Sequence, residues 1–328
     1  MSIRPIPTDS PIVLQEVTRA FAQVRAIDAI SLAVPRGTIL GLIGPSGSGK
    51  TTTIRTLTGA LAPTSGIVRV LGEDPRRFHR RTRERIGYSP QDFVLYQDLT
   101  ARENVDFMGS LFGMLWRRRR RRVREALELV GLWEARDRRA SQLSGGMRRR
   151  LELACALVHD PEVLFLDEPT AGIDPILRQT VWQELRRLRD EGRTLLVTTQ
   201  YVAEAEHCDA VALLSHGRLI ALARPEDLRR QALGGDVIEV EVDRPFDARS
   251  LAGVEGVTAV RQRDPRSVLV VAENAGMVTP RVVDAIDSLG ADVVSSREYR
   301  PTFDEVFAEL VSRDRLARGL APDDAEAA

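Results

Sequence analysis

The sequence is poor in cysteine, in lysine and in long apolar runs. Its two cysteines, Cys155 and Cys208, are isolated, which excludes a disulfide framework. The longest apolar stretches, such as residues 163–166 and 194–197, are strand-sized and fall far short of the roughly 20 residues that a membrane-spanning helix needs. The first eleven residues contain three prolines and lack the apolar core of a secretory signal. We therefore expect the chain to lie in the reducing cytoplasm and to span no bilayer alone.

Net charge is lacking as well. The 47 basic and 47 acidic side chains balance at pH 7, so no overall field attracts nucleic acid, and no nucleic-acid partner is expected. Every lysine or arginine position except Lys50 holds arginine, which makes Lys50 conspicuous. With 328 residues, of which 43% are hydrophobic, the chain is long enough to bury the core of one large domain and of a smaller one.

Short apolar strands alternate with amphipathic helices up to about residue 230, which predicts an α/β domain with a largely parallel sheet. The expected strands cover residues 38–43, 163–167, 194–199 and 210–214. After residue 95 helical periodicity replaces the strand signal, and Thr100 and Glu103 have the spacing of a capping box. We expect an inserted helical subdomain over about residues 95–158.

The pattern changes after the glycine pair at residues 234 and 235. The order becomes strand, short helix, two strands, helix, strand and helix, which resembles a small ferredoxin-like α+β domain. The predicted domains are an N-terminal tail at residues 1–11, a main domain at 12–232, an accessory domain at 236–312 and an acidic tail at 313–328, whose end we expect to be disordered.

One glycine-rich segment matches the phosphate-binding loop, or Walker A, pattern. It consists of Gly44, Pro45, Ser46, Gly47, Ser48, Gly49, Lys50 and Thr51. Because it follows an apolar strand and opens a helix, its N–H groups are expected to wrap a β-phosphate. Lys50 would reach the β- and γ-phosphates, Thr51 would hold Mg²⁺, and Thr52 is included among the predicted nucleotide-binding residues. The alternative is a flexible glycine turn with an incidental lysine.

An apolar strand at residues 163–167 ends in two carboxylates, which is typical of a Walker B element. We expect Asp167 to join the Mg²⁺ shell and Glu168 to polarise the attacking water. A buried strand with a solvated acidic turn is the alternative, and it would be favoured if the strand stood alone.

The segment Leu143-Ser144-Gly145-Gly146-Met147 opens a helix and forms a second anion-binding terminus. An ordinary capped helix is the alternative. In this order the motifs resemble those of the ATP-binding-cassette (ABC) ATPases, over residues 12–228. The resemblance implies a P-loop NTPase fold with an antiparallel β subdomain and an inserted helical subdomain, and it makes ATP the substrate.

Further positions gain roles through this resemblance. Gln91 looks like the Q-loop glutamine, a catalytic and Mg²⁺-binding residue. Asp174 looks like the D-loop aspartate beside the nucleotide. Phe21 falls where the family stacks an aromatic ring on adenine, although a core aromatic is nearly as good an interpretation.

The resemblance is strongest to the bacterial drug-exporter ATPases of the daunorubicin-resistance type. Three features support this resemblance: Thr-Thr-Gln at residues 198–200, Tyr201 directly after it, and the sequence of residues 301–307. The chain departs from the family at Ser46, usually asparagine, at Met147, usually glutamine, and at Gln200, usually the histidine that contacts the γ-phosphate. Glutamine donates a hydrogen bond but carries no proton or charge, so we expect hydrolysis to rely on Glu168.

The resemblance implies a head-to-tail homodimer with two ATP molecules, in which Ser144, Gly145 and Gly146 of one copy reach the γ-phosphate held by the other. It also implies a separately encoded permease that holds the ATPase at the inner face of the membrane, for export of a drug or lipid-like substrate. The alternatives are an importer ATPase, a soluble ABC ATPase acting on ribosomes or nucleic acid, and a binding module without catalysis.

Six consecutive arginines form the strongest charge feature: Arg117, Arg118, Arg119, Arg120, Arg121 and Arg122. We favour a solvated turn between helices of the subdomain, because charge runs usually face water. Contact with anionic lipid headgroups is the functional alternative.

Overall fold

The computed structural model describes residues 9–92 and 94–318. Most of the predicted N-terminal tail and the end of the acidic tail lie outside the described residues. The chain divides into two compact units, Met1–Ala223 and Arg224–Ala328. The predicted main domain, residues 12–232, extends past this division, so residues 224–232 fall in the second unit, where the helix that they form packs against the C-terminal helix.

The first unit contains nine strands and six α-helices among its described residues. The strands are β1 Ile12–Phe21, β2 Val24–Val34, β3 Ile39–Ile43, β4 Ser65–Val70, β5 Ile86–Ser89, β6 Val163–Asp167, β7 Thr194–Thr199, β8 Ala210–Ser215 and β9 Arg218–Ala223. The helices are α1 Lys50–Leu57, α2 Arg80–Arg83, α3 Ala101–Leu111, α4 Trp116–Leu129, α5 Gly145–Leu157 and α6 Pro175–Asp190.

A six-stranded sheet organises this unit. Its strand order is β5-β6-β7-β3-β8-β9, and all neighbours are parallel except β8 and β9. Strands β3, β6 and β7 are buried along their whole length, as expected for parallel strands that are covered on both faces. The four predicted strands and the α/β class are confirmed.

The predicted antiparallel subdomain is a three-stranded sheet in the order β2-β1-β4. Its inward side chains, such as Ile12 and Ile30, share one apolar core with Leu42 of β3, Ile54 of α1 and Phe165 of β6. This shared core fixes α1, and therefore the loop before it, against the central sheet.

Helices α3, α4 and α5 form the predicted helical subdomain. The capping box is present, because the Thr100 hydroxyl accepts a hydrogen bond from the Glu103 N–H at 3.2 Å and the Glu103 carboxylate accepts one from the Thr100 N–H at 2.8 Å. The favoured interpretation of the arginine run as a turn is wrong, since Trp116–Leu129 is helical. Arginine has a high helix propensity. The ion pairs Arg121–Glu125 and Arg124–Glu128, each formed by residues one turn apart, also stabilise the helix.

The second unit is a small α+β domain. Its elements are α7 Pro225–Leu233, β10 Asp236–Val242, β11 Val257–Asp264, β12 Ser267–Ala272, α8 Ala275–Ser288, β13 Val293–Glu298 and α9 Phe303–Ala317. The antiparallel sheet has the order β11-β12-β10-β13, which is the ferredoxin-like arrangement that the sequence predicts. A short 3₁₀ segment, Ala248–Gly253, replaces the first crossover helix.

Within the described part of the chain, none of the helices combines the length and the apolarity that crossing a bilayer requires.

Candidate functional site

The glycine-rich loop joins β3 to α1, and Lys50 is the first residue of that helix. Its side chain is only 5% exposed, and Nζ donates hydrogen bonds to the carbonyl oxygens of Gly44 at 2.8 Å and of Pro45 at 3.0 Å. The Glu168 carboxylate lies 3.8 Å from Nζ. Burial lowers the pKa of Lys50 from its ordinary value, and the negative charges of Glu168 and Asp167 oppose this shift. Lys50 thus places a positive charge directly over the loop.

Two glycines of the loop have a positive φ, which allows its backbone to turn sharply. Gly47 has a φ of 77° and Gly49 a φ of 103°. A Cβ at Gly47 would meet nothing within 4 Å, whereas a Cβ at Gly49 would clash with the backbone oxygen of Ala26. In addition, the buried Ser48 hydroxyl has no hydrogen-bond partner within the described residues. An open backbone beside an unsatisfied donor suits an anion that is held by N–H and O–H groups.

Oxygen atoms from three segments meet at the start of α1. The Thr51 hydroxyl lies 3.3 Å from Asp167 Oδ1 and 3.5 Å from Gln91 Oε1. Thr198, on the neighbouring strand, donates a hydrogen bond to Asp167 Oδ1 at 2.6 Å. The other Asp167 oxygen, Oδ2, is buried and has no hydrogen-bond partner in the part of the chain that the structure describes.

These groups fit Mg²⁺, which prefers oxygen ligands and is usually held by one or two carboxylates together with phosphates. The described residues contain no cluster of three His, Cys, Asp or Glu side chains that would bind a metal without such help. In the predicted site, the phosphates of a nucleotide would complete the coordination shell.

Glu168 directly follows the end of β6 and is 8% exposed. Its φ of 50° is unusual for a residue with a side chain, and its N–H donates a hydrogen bond to the Thr198 hydroxyl at 2.9 Å. The Gln91 amide nitrogen lies 3.4 Å from its carboxylate. The predicted catalytic residues Glu168 and Gln91 therefore meet Lys50 and the metal-binding group in one cluster.

Gln200 lies at the same edge of the sheet. It follows Thr199, which pairs with Ile43 at the end of β3, while Thr198 pairs with Asp167 at the end of β6. Strand β7 lies between these two strands, so Gln200 leaves the sheet between the glycine-rich loop and Glu168. Its side chain is exposed.

The Ser-Gly-Gly segment lies at the N-terminus of α5. Ser144 is the cap, and its hydroxyl accepts a hydrogen bond from the Met147 N–H at 3.3 Å. Ser144 and Gly145 are exposed, and a Cβ at Gly145 would meet nothing within 4 Å. This open helix terminus is able to receive an anion from a second molecule.

Two predicted residues lie at the surface. Asp174 caps α6 by accepting hydrogen bonds from the N–H groups of Ile176 at 3.1 Å and Leu177 at 3.0 Å. Phe21 is 44% exposed, with the Arg19 guanidinium 4.5 Å from the centre of its ring, so it is not a core aromatic. Its contact with adenine and the nucleotide role of Asp174 stay predictions.

Sequence reasoning missed three residues that hold the site together. Thr198 bonds to both Asp167 and the Glu168 backbone, and a threonine in a buried strand carries no signal of that contact. Arg149 and Glu152 form a buried ion pair in α5. Only Glu152 carried a signal, because it is the one charged residue in the otherwise apolar second half of α5 and lies three residues after an arginine.

A single α/β unit thus joins a phosphate loop, a carboxylate pair at a strand end and a capped helix tip whose first residues are exposed. That combination defines an ABC-type ATP-binding cassette.

Comparisons with known proteins agree with this class. Residues 27–171 match the family model for the ABC transporter, and residues 224–311 match that for the ATP-binding protein DrrA1-3-like, C-terminal domain. The daunorubicin resistance ATP-binding protein DrrA3 of Streptomyces coeruleorubidus is 38% identical over 317 residues, covering 95% of this chain and 99% of that protein.

Two further similarities bear on the extent of the match. The probable multidrug ABC transporter ATP-binding protein YbhF of Escherichia coli (strain K12) is 37% identical over 240 residues, which are 73% of this chain and 42% of YbhF. This chain therefore spans less than half of the length of YbhF. The dimeric structure of MJ0796, a bacterial ABC transporter cassette, superposes with a TM-score of 0.61 at 27% identity, covering 65% of this chain and 98% of that one.

The chain belongs to the ATP-binding subunits of the ABC transporter family and carries the DrrA-like C-terminal domain.

Proposed function

We propose that this protein hydrolyses ATP to power export of a drug or lipid-like substrate through a separately encoded membrane permease. The observation that carries the proposal is the cluster at the sheet edge, where contacts of 3.3–3.8 Å join Lys50 to Glu168, Glu168 to Gln91, Gln91 to Thr51 and Thr51 to Asp167. Export is supported by the relatives, whose names describe daunorubicin resistance, multidrug transport and Nod factor export.

The chemistry follows from the charges in the cluster. Lys50 stabilises negative charge on the β- and γ-phosphates, and Glu168 accepts a hydrogen bond from the attacking water and orients it. Thr51, Asp167 and Gln91 would hold Mg²⁺, which when bound neutralises charge that develops on the phosphate oxygens. The Gln200 amide can donate a hydrogen bond to the γ-phosphate but carries no charge and takes up no proton, so Glu168 is the principal group acting on water.

The open tip of α5 supports a dimer. We propose that Ser144, Gly145 and Gly146 of one copy bind the γ-phosphate held by the other, with two ATP molecules per dimer. Hydrolysis removes the γ-phosphate that both copies bind, and the contact between the two copies weakens. Gln91, which connects the cluster to the helical subdomain, transmits this change to the permease at the inner face of the membrane.

Phosphate release with Mg-ATP tests the proposal. The wild-type protein is expected to turn over, Lys50→Met to lose ATP binding, and Glu168→Gln to keep ATP binding but lose at least about 100-fold in kcat, the lower end of general-base effects. Arg187→Gln, an exposed residue in α6 that pairs with Glu184, is a control with wild-type turnover. A wild-type protein that releases no phosphate would refute the function.

We also propose that the corner between α3 and α4 contacts anionic lipid. Arg119 bonds to Asp106 at 2.8 Å, and Arg122 bonds to carbonyl oxygens at the end of α5, so these two arginines are structural. The other four point to water, beside Leu111, Leu115 and Trp116, which are 63%, 81% and 63% exposed. Exposed apolar side chains next to arginines suit a membrane surface.

Vesicle sedimentation tests this contact. Wild-type protein is expected to bind phosphatidylglycerol-containing vesicles at low salt and to be released by high salt, because each arginine near the surface contributes about 1 kcal/mol. Replacing Arg117, Arg118, Arg120 and Arg121 together by glutamine should abolish binding. Equal binding by this variant would contradict the proposal.

A further inference from the structure

A buried ion pair in α5 contacts both catalytic segments. Arg149 is 4% exposed, and its Nη1 donates hydrogen bonds to the Pro90 carbonyl oxygen and to Glu152 Oε2, both at 2.9 Å. Its Nη2 donates to the carbonyl oxygen of Glu168 at 2.8 Å. One guanidinium thus joins the residue before Gln91 to the backbone of the catalytic glutamate.

Glu152 completes the arrangement on the other side of Gln91. It is 3% exposed, and its Oε1 accepts a hydrogen bond from the Val94 N–H at 2.9 Å. Burial raises the pKa of the Glu152 carboxyl, and the bonds from Val94 and Arg149 oppose that rise. The pair therefore holds the Gln91 segment at Pro90 and at Val94, one residue before and three residues after the glutamine.

The contact with Glu168 matters because the backbone there is strained. A φ of 50° at a residue with a side chain persists only where the surroundings fix it. Thr198 fixes the N–H of Glu168 and Arg149 fixes its carbonyl oxygen. Together these two bonds determine the direction in which the Glu168 carboxylate points.

Stability alone does not account for the pair. Two buried charges lose their hydration, and replacing such a pair by apolar side chains of similar volume is often neutral or stabilising. Because the two charges bond to both catalytic segments, their arrangement indicates a role in positioning.

We propose that Arg149 and Glu152 are positioning residues that link the tip of α5 to Gln91 and Glu168 of the same copy. Ser144 and Arg149 lie five residues apart on one rigid helix, about 7.5 Å along its axis. Movement of the tip when it binds the partner's nucleotide therefore shifts the catalytic carboxylate of its own copy. This inference rests on the proposed function, since it concerns the same hydrolysis.

The first test replaces both charges, as Arg149→Met with Glu152→Met. We expect a melting temperature close to that of the wild type, a KM for ATP within about twofold, and a kcat reduced at least about tenfold by the misplaced carboxylate. The matched control is Arg122→Met, because Arg122 also donates to backbone oxygens of α5, at Leu157 and Val158. That variant should lose stability and keep its kcat.

A second variant covers the case in which the double replacement fails to fold. Arg149→Lys keeps the charge beside Glu152 but lacks the planar fork that reaches three oxygens. We expect a severalfold lower kcat in the wild-type background and no further loss in a Glu168→Gln background, because the arginine acts through Glu168. A merely structural role would lower the residual rate equally in both backgrounds.

The outcomes separate this inference from the proposed function. If the wild type hydrolyses ATP and Arg149→Lys matches its kcat, or lowers the rate equally in both backgrounds, the positioning role is wrong while the function stands. If the wild type releases no phosphate, both are wrong.

Discussion

At the scale of single residues, two glycines of the phosphate loop both have a positive φ but differ in their surroundings. We predict that Gly47→Ala costs about 1–2 kcal/mol of stability, from the left-handed backbone alone, and weakens ATP binding because the new methyl group enters the open phosphate space. Gly49→Ala adds a clash with the Ala26 oxygen, which costs about a further 1–3 kcal/mol. Urea unfolding and ATP titration of both variants measure these effects; equal stability of the two would contradict the assignment.

The sequence alone was sufficient to predict the site residues whose role follows from a local motif. Lys50 and Asp167 are recognisable because a strand, a turn and a helix surround them in a fixed order. The roles of Thr198 and Arg149 could not be recognised in this way. Thr198 bonds to Asp167, 31 residues away, and Arg149 bonds to Glu168, 19 residues away, and only the folded protein brings these residues into contact. The roles of Gln200 and Phe21 stay predictions.

At the scale of elements, His159 connects three of them just after the end of α5. Its Nε2 bonds to the Ile86 carbonyl oxygen of β5 at 2.9 Å, and its ring stacks on Phe112, after α3, at 3.6 Å. Burial lowers the pKa of His159 to about 4 from an ordinary value of 6.5. The imidazole is therefore held neutral in the folded protein.

Acid should weaken the fold through this histidine. Between pH 6.5 and pH 4 the unfolded chain binds the proton and the folded chain does not, so stability falls as the pH is lowered. The expected loss from this group is up to about 3 kcal/mol. We predict that His159→Gln is less stable than the wild type at pH 7 and that the difference narrows towards pH 4.5, as measured by urea unfolding. A difference that is independent of pH would contradict this.

The elements themselves were largely predictable. Apolar runs bounded by turn residues located β3, β6, β7 and β8, because buried parallel strands are apolar on both faces. The arginine run was assigned to a turn because charge runs usually face water, and its six residues precede the buried face of α4, which begins only at Val123. Contacts between helices, which the pattern does not contain, placed α7 in the second unit.

At the scale of the whole molecule, each unit has an apolar core of its own. The cluster around Lys50 and Glu168 belongs entirely to the first unit, Met1–Ala223. We predict that a chain ended after Ala223 unfolds cooperatively and binds Mg-ATP with an affinity within about threefold of the full chain. Calorimetry and nucleotide titration measure this, and loss of ATP binding by a folded truncated chain would show that the second unit contributes to the site.

The central claim is that ATP joins two copies through the phosphate loop of one and the Ser144 tip of the other. The most direct measurement is the solution mass of Glu168→Gln by light scattering, because this variant binds ATP without consuming it. We predict a two-copy mass in saturating Mg-ATP, a one-copy mass in Mg-ADP, and loss of the dimer when Ser144→Arg is added to block the tip. A one-copy mass of Glu168→Gln in saturating Mg-ATP would contradict the account.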